Sequence, residues 1–182
     1  MVDRLSISDT MAKNLVVYYS RKGENYFGGS IRSVPKGNTE YVAEYIAEAT
    51  GADLFEIDTV APYPEDYMAC TDAAKKELRE NARPELKRYL DSISDYENIF
   101  ICGPCWWGTY PMAVFSLTDR LDWNGKRIFA VMTHEGSGMG SSERDIAKAC
   151  KGAKLVDSMA ISGSLAQSSE KKVSNWAVKC VE

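Results

Sequence analysis

The sequence predicts an α/β fold: a doubly wound, five-stranded parallel sheet in the order 2-1-3-4-5, with helices on both faces. Three observations carry this. Short continuous apolar runs alternate repeatedly with longer segments of helical period, as expected of strands buried on both faces. The first, third and fourth runs are solidly apolar, whereas the second contains Asp53 and Glu56 and the fifth is broken by Asp157-Ser158. Polar strands belong at edges, and right-handed crossovers then put the switch point between strands one and three.

Leu15 to Tyr19 is the first strand. After Ser20 and a glycine-containing insertion, Thr39 to Thr50 places Val42, Ala43, Ile46 and Ala47 on one stripe, with Asn38 or Thr39 as cap and Gly51 as terminator. Leu54 to Ile57 is the second strand. The next helix starts near Pro64 or Glu65, turns Tyr67, Cys70, Ala74 and Leu78 inward, and ends before Pro84. Ile99 to Cys102 is the third strand, and Pro111 opens a helix carrying Val114, Leu117 and Leu121. Ile128 to Met132, a helix from Ser141 or Ser142, the interrupted run Leu155 to Ile161, and a helix from Ser168 or Ser169 with Val173, Trp176, Ala177 and Cys180 complete the chain.

At 182 residues the chain suits one domain with its own core, expected over 14–182, behind a leader at 1–13 expected to lack order. Hydrophobic residues make up 45% and charged residues 26%, the balance of a globular protein. With 22 basic against 26 acidic residues the net charge is -4, which disfavours nucleic-acid binding. Every apolar run falls far short of the ~18 residues that span a bilayer, so no membrane helix is expected. The N-terminal segment lacks the apolar core of a secretory signal. Cysteines at 70, 102, 105, 150 and 180, an odd count, suit a reducing compartment, and we expect a cytoplasmic protein.

In this topology a ligand site is written in the loops after strands one, three and four. After strand one come Ser20 and then Gly37-Asn38-Thr39 at a helix start, where hydroxyls and free N–H groups, aided by the helix dipole, fit a phosphate monoester without Lys or Arg. Taken alone, Asn38-Thr39 is equally a plain N-cap. After strand three comes Pro104-Cys105-Trp106-Trp107-Gly108-Thr109, whose adjacent indoles either wall a large planar ring or plug the core. After strand four, Thr133-His134-Glu135-Gly136-Ser137-Gly138 can present backbone donors and acceptors to a ring edge. A phosphate cradle, an aromatic platform and a backbone-lined edge are together the parts of a site for flavin mononucleotide (FMN).

On these residues the chain resembles the flavodoxin family from about Asn14 to Val181: Ser20 and Gly37-Asn38-Thr39 stand in the place of the phosphate loop, Pro104 to Thr109 in that of the first ring loop, and Glu135 to Gly138 in that of the second. The resemblance implies noncovalent FMN and a flavoprotein with a redox role, the protein adjusting the electronics of a cofactor that carries the chemistry. It departs at Arg21 to Lys36, a long insertion with Tyr26, Phe27, Gly28 and Gly29 that splits the phosphate loop. Two readings follow. In one the protein is an electron-transfer carrier exchanging electrons with redox partner proteins; in the other it is an NAD(P)H-dependent oxidoreductase reducing quinones. A cofactor-free module on the same fold is a third class, against which Trp106-Trp107 argues.

Cys102-Gly103-Pro104-Cys105 matches the thioredoxin tetrapeptide, making a dithiol oxidoreductase the rival chemistry. Its context is wrong: such a pair begins a helix, whereas Cys102 ends an apolar strand, and no proline follows Pro111. His134 is the single histidine, which excludes a metal site of several imidazoles. It is either a polar strand end or a group bordering the flavin that helps to bind substrate.

Overall fold

The computed structural model describes residues 13–182; apart from Lys13, the proposed leader lies outside the described residues. Five strands form one parallel sheet: β1 (Asn14–Tyr18), β4 (Asp53–Glu56), β5 (Asn98–Pro104), β6 (Arg127–His134) and β7 (Lys154–Ser162), in the order β4-β1-β5-β6-β7. This is the expected 2-1-3-4-5 order, with both polar strands at the edges. A bulge at Val156, where Leu155 pairs with Ile128 and Asp157 with Phe129, accounts for the interruption of the fifth strand.

The insertion is itself ordered. β2 (Gly23–Phe27) and β3 (Ser30–Val34) pair antiparallel, with Phe27 opposite Ser30 and a two-residue Gly28-Gly29 turn in which both residues have positive φ.

Residues alternate across the central strands into two cores. Ile99 and Ile101 of β5 join the core beneath α3 (Met112–Thr118) and α4 (Ser142–Ala149), with Val114, Leu117 and Ile146. Phe100 and Cys102 join the opposite core, under α1 (Asn38–Thr50) and α5 (Glu170–Val181), with Val42, Ile46, Val173 and Ala177. Phe100 and Phe129 stack there at 4.8 Å. Among the described residues no helix is long and apolar enough to cross a membrane.

Three local expectations are corrected. The N-cap of α1 is Gly37, not Asn38 or Thr39, because the Ser20 hydroxyl at the end of β1 already accepts from the N–H of Glu40 at 3.1 Å. A β-carbon on Gly37 would collide with that hydroxyl and with the Arg21 carbonyl. α2 (Tyr67–Glu80) begins at an Asp66 cap that accepts from the N–H of Ala69 at 2.7 Å. Cys70 and Ala74 are buried on α2 as expected, but Leu78 is exposed, lying in a groove beside Met112 and Phe115 where α2 and α3 separate.

Candidate functional site

The strand ends of β5 and β6, the start of α1 and the turn after β7 surround one cavity of about 270 Å³. Asn38, Pro104, Cys105, Trp106, Glu135 and Ser137 line it, together with His134. Ser20, Gly37, Thr39, Gly108, Thr109, Gly136 and Gly138 hold the loops behind or beside this surface, and Trp107 faces elsewhere.

At the α1 end, the Ser20 hydroxyl meets the N–H of Glu40, leaving the first-turn N–H groups of Asn38 and Thr39 for a ligand, as a helix start provides. The Thr39 side chain turns inward instead: its Oγ1 lies 2.8 Å from Oγ1 of Thr133, both buried, tying the start of α1 to the end of β6.

The two ring loops are locked to each other. The Gly108 carbonyl accepts from the N–H of Ser141 at 2.7 Å, and a β-carbon on Gly140, at φ 56°, would strike that same carbonyl. Asp145 accepts from the hydroxyls of Thr109 at 2.8 Å and Ser141 at 2.6 Å. Partial burial alone would raise the Asp145 carboxyl, but the Ser141 and Thr109 donors and the Arg144 charge outweigh it and hold it below its ordinary value.

The indoles divide their roles. Trp106 is partly buried, edge-on to Tyr19 at 5.2 Å and Tyr63 at 5.0 Å, and presents itself to the cavity. Trp106 and Thr109 are bridged across a tight turn whose centre is Trp107 at φ 55° and Gly108 at φ 84°, the turn type that needs two left-handed residues. Trp107 is 50% exposed, and its Nε1 donates to the Thr71 carbonyl at 2.9 Å. It is therefore no core plug.

Three contributors were not singled out as site residues from sequence, Asn25, Tyr67 and Gly163, whereas Thr133 belongs to the loop expected after strand four. Tyr26 of the insertion also lines the cavity, whereas Phe27 lies against Arg32, 5.5 Å from its ring centroid. Arg21 does not reach the α1 start; its guanidinium donates to the carbonyls of Glu24, Pro64 and Glu65, each at 2.9 Å. Glu24 accepts from the N–H of Tyr67 at 2.8 Å, so the hairpin is fastened to the start of α2. The Glu135 carboxylate holds the hairpin tip at the other end, accepting from Gly28 N–H at 3.3 Å and Ser164 N–H at 2.9 Å. His134 Nδ1 accepts from Gly136 N–H at 2.9 Å, which places the proton of the neutral ring on Nε2.

The dithiol alternative fails on geometry. Cys102 is in the middle of the buried sheet, where burial raises its thiol well above the ordinary value. Three residue steps of extended backbone, over Gly103 and Pro104, put it about 10 Å from Cys105, beyond the ~7 Å limit for a disulfide.

The chemistry of this cavity fits FMN in parts: free N–H groups at one end suit a phosphate, and the Trp106 indole and strand-end backbone suit a flat ring. At about 270 Å³ the space is just below the ~300 Å³ lower end for small-molecule sites. Its rim, with Tyr26 and Ser137 exposed, is open enough for a ligand to extend outward. Among the described residues no Lys or Arg lines it, and Glu135 is the one carboxylate that does.

No curated protein matches the sequence. Solved structures do. A Bacteroides uniformis protein assigned as a flavoprotein superposes with a TM-score of 0.72 at 23% identity, covering 92% of this chain and 98% of its own. One from Bacteroides eggerthii gives 0.71 at 24%, covering 93% and 98%. The Lactobacillus acidophilus flavoprotein, solved in complex with FMN, gives 0.64 at 20%, covering 90% and 99%. At these identities the likeness shows the shared fold. The sequence model of the flavodoxin family matches residues 26–180, nearly all of the described chain, and by that match the protein belongs to the flavodoxin family.

Proposed function

We propose that the protein is a flavoprotein that binds FMN noncovalently in the cavity between α1 and Trp106 and uses it for electron transfer. The observation that carries this reading is the meeting, at one mouth of the sheet, of a helix start with unused N–H groups and a loop that offers an indole. Family membership and the FMN complex of the Lactobacillus acidophilus relative support the same cofactor.

FMN supplies one- and two-electron redox chemistry when bound. The chain's own residues do the rest. Asn38 and Thr39 N–H groups hold the phosphate, with Ser20 keeping the helix start in place. Trp106, braced by Tyr19 and Tyr63, covers one side of the ring. The Cys105 N–H is committed to the Thr133 carbonyl and the Gly136 N–H to His134, so the carbonyls of Cys105 and Gly136 would meet the ring edge, and the Gly108–Ser141 bond sets the gap between the two loops. His134 borders the ring with a proton on Nε2 available to a substrate oxygen.

Two donors remain for this chemistry, a partner protein or NAD(P)H. The hairpin laid over the mouth, fastened at both ends by Glu24 and Glu135, favours a small-molecule oxidoreductase over a carrier with a bare flavin edge. Anaerobic stopped-flow mixing of the FMN-loaded protein with NADH and NADPH separates the two: rapid bleaching of flavin absorbance identifies a reductase, and none identifies a carrier.

A further inference from the structure

Beside the flavin cavity lies a second chamber of about 330 Å³, lined by Arg21, Tyr67, Met68, Ala74, Trp106 and Trp107 among others. It touches neither the start of α1 nor the loop after β6. Trp106, Cys105, Tyr67 and Asn25 line both spaces, so the two adjoin at these residues.

Trp107 is the unexplained element. A bulky residue at φ 55° carries a backbone penalty of roughly 1–3 kcal/mol. Half of its surface is left in solvent, where a smaller residue would make the same turn. Nevertheless it is fixed in place, by its Nε1 bond to the Thr71 carbonyl at 2.9 Å and by Lys75 4.9 Å from its ring centroid. Such a held, strained and solvent-facing indole makes physical sense as the wall of a ligand site. Opposite, Arg21 commits Nε and Nη2 to carbonyls of the chain and lies against the Cys70 thiol, so its fixed guanidinium charge lines the chamber and can meet a ligand oxygen.

We propose that this chamber is a separate site for a planar quinone-class carbonyl compound, its ring against Trp107 and Met68 and one carbonyl oxygen accepting from Arg21. The choice of compound class rests on the FMN reading, since a ring here lies beside the flavin cavity. The site itself depends only on residues of this chain.

The probe is 2-methyl-1,4-naphthoquinone, titrated into 15N-labelled protein with and without saturating FMN. The expected result is a saturable shift of the Trp107 indole N–H resonance and of the amides of α2, with flavin absorbance showing that FMN stays bound. Ala74→Leu, which narrows the chamber, weakens quinone binding at least tenfold and leaves FMN affinity within twofold. Should that variant unfold, Met68→Glu, at a position 58% exposed, gives the same loss. Expulsion of FMN by the quinone, shifts centred on His134 to Ser137, affinity unchanged in both variants, or no saturable shift each overturns the proposal. Quinone binding at Trp107 without any FMN binding keeps this site and removes the flavin reading; FMN binding with an unmoved Trp107 resonance does the reverse.

Discussion

Thr39, in the first turn of α1, and Thr133, in the last turn-ward residues of β6, share a buried hydrogen bond of 2.8 Å between their hydroxyl oxygens. It links the α1 end of the cavity to its β6 end through two atoms. Thr39→Val leaves the Thr133 hydroxyl without its partner, which costs about 1–3 kcal/mol, whereas Thr39→Val/Thr133→Val removes both polar groups and recovers much of that. Urea unfolding of the two single variants and the double variant gives the coupling; additive losses would contradict the link.

Gly140 carries a comparable constraint between the ring loops. In Gly140→Ala the new methyl strikes the Gly108 carbonyl at a left-handed backbone position, so the Ser141–Gly108 bond is lost. The expected cost is about 1–3 kcal/mol of stability, with weaker FMN binding because the gap between the loops changes. A variant as stable as the parent in thermal unfolding would show that the loops are not locked at this point.

Asp145 ties the same loops through a charge. Its carboxyl is held below the ordinary value, so its contribution is fully present above ~pH 4 and is lost as the pH falls through the depressed value. Asp145→Asn is less stable by about 1–2 kcal/mol at neutral pH, since the hydroxyl bonds lose their charge assistance. Below ~pH 4 the gap between the two proteins narrows. Chemical denaturation from pH 7 to pH 2 measures it, and a constant gap across that range would argue against Asp145 as the cause.

Much of this architecture was legible in the chain. Asp53 and Glu56 in one run and Asp157-Ser158 in another placed the edge strands, because polar side chains cannot face two buried layers. The cavity loops were found because their position after strands one, three and four follows from topology alone. The hairpin was missed, although Gly28-Gly29 between Asn25-Tyr26-Phe27 and Ile31 carries a hairpin signal. Glu24, Asn25, Arg32 and Ser33 leave it polar on both faces, so no buried side announced its register. Tyr67 and Gly163 reach the cavity only through tertiary packing, and nothing local to either residue marks them. Leu78 fits a helical stripe, yet the groove between α2 and α3 leaves it in solvent.

Glu135 sets the electrostatics of the cavity. Its carboxylate, with no Lys or Arg among the described lining residues, would disfavour extra negative charge on a reduced flavin, and the expected outcome is a reduction potential of bound FMN below that of free FMN. Glu135→Gln raises the potential and also loosens the Gly28 contact. Spectroelectrochemical titration of both proteins reads the direction; a potential unchanged or lowered by the substitution would contradict it.

The central claim is that one mouth of the sheet grips both ends of FMN. Isothermal titration of the protein with FMN and, in parallel, with riboflavin tests it most directly, because riboflavin lacks only the phosphate. The account predicts one FMN per chain and riboflavin affinity at least tenfold weaker, a loss of about 1.4 kcal/mol or more. No heat with FMN, or riboflavin binding as tightly as FMN, would contradict it.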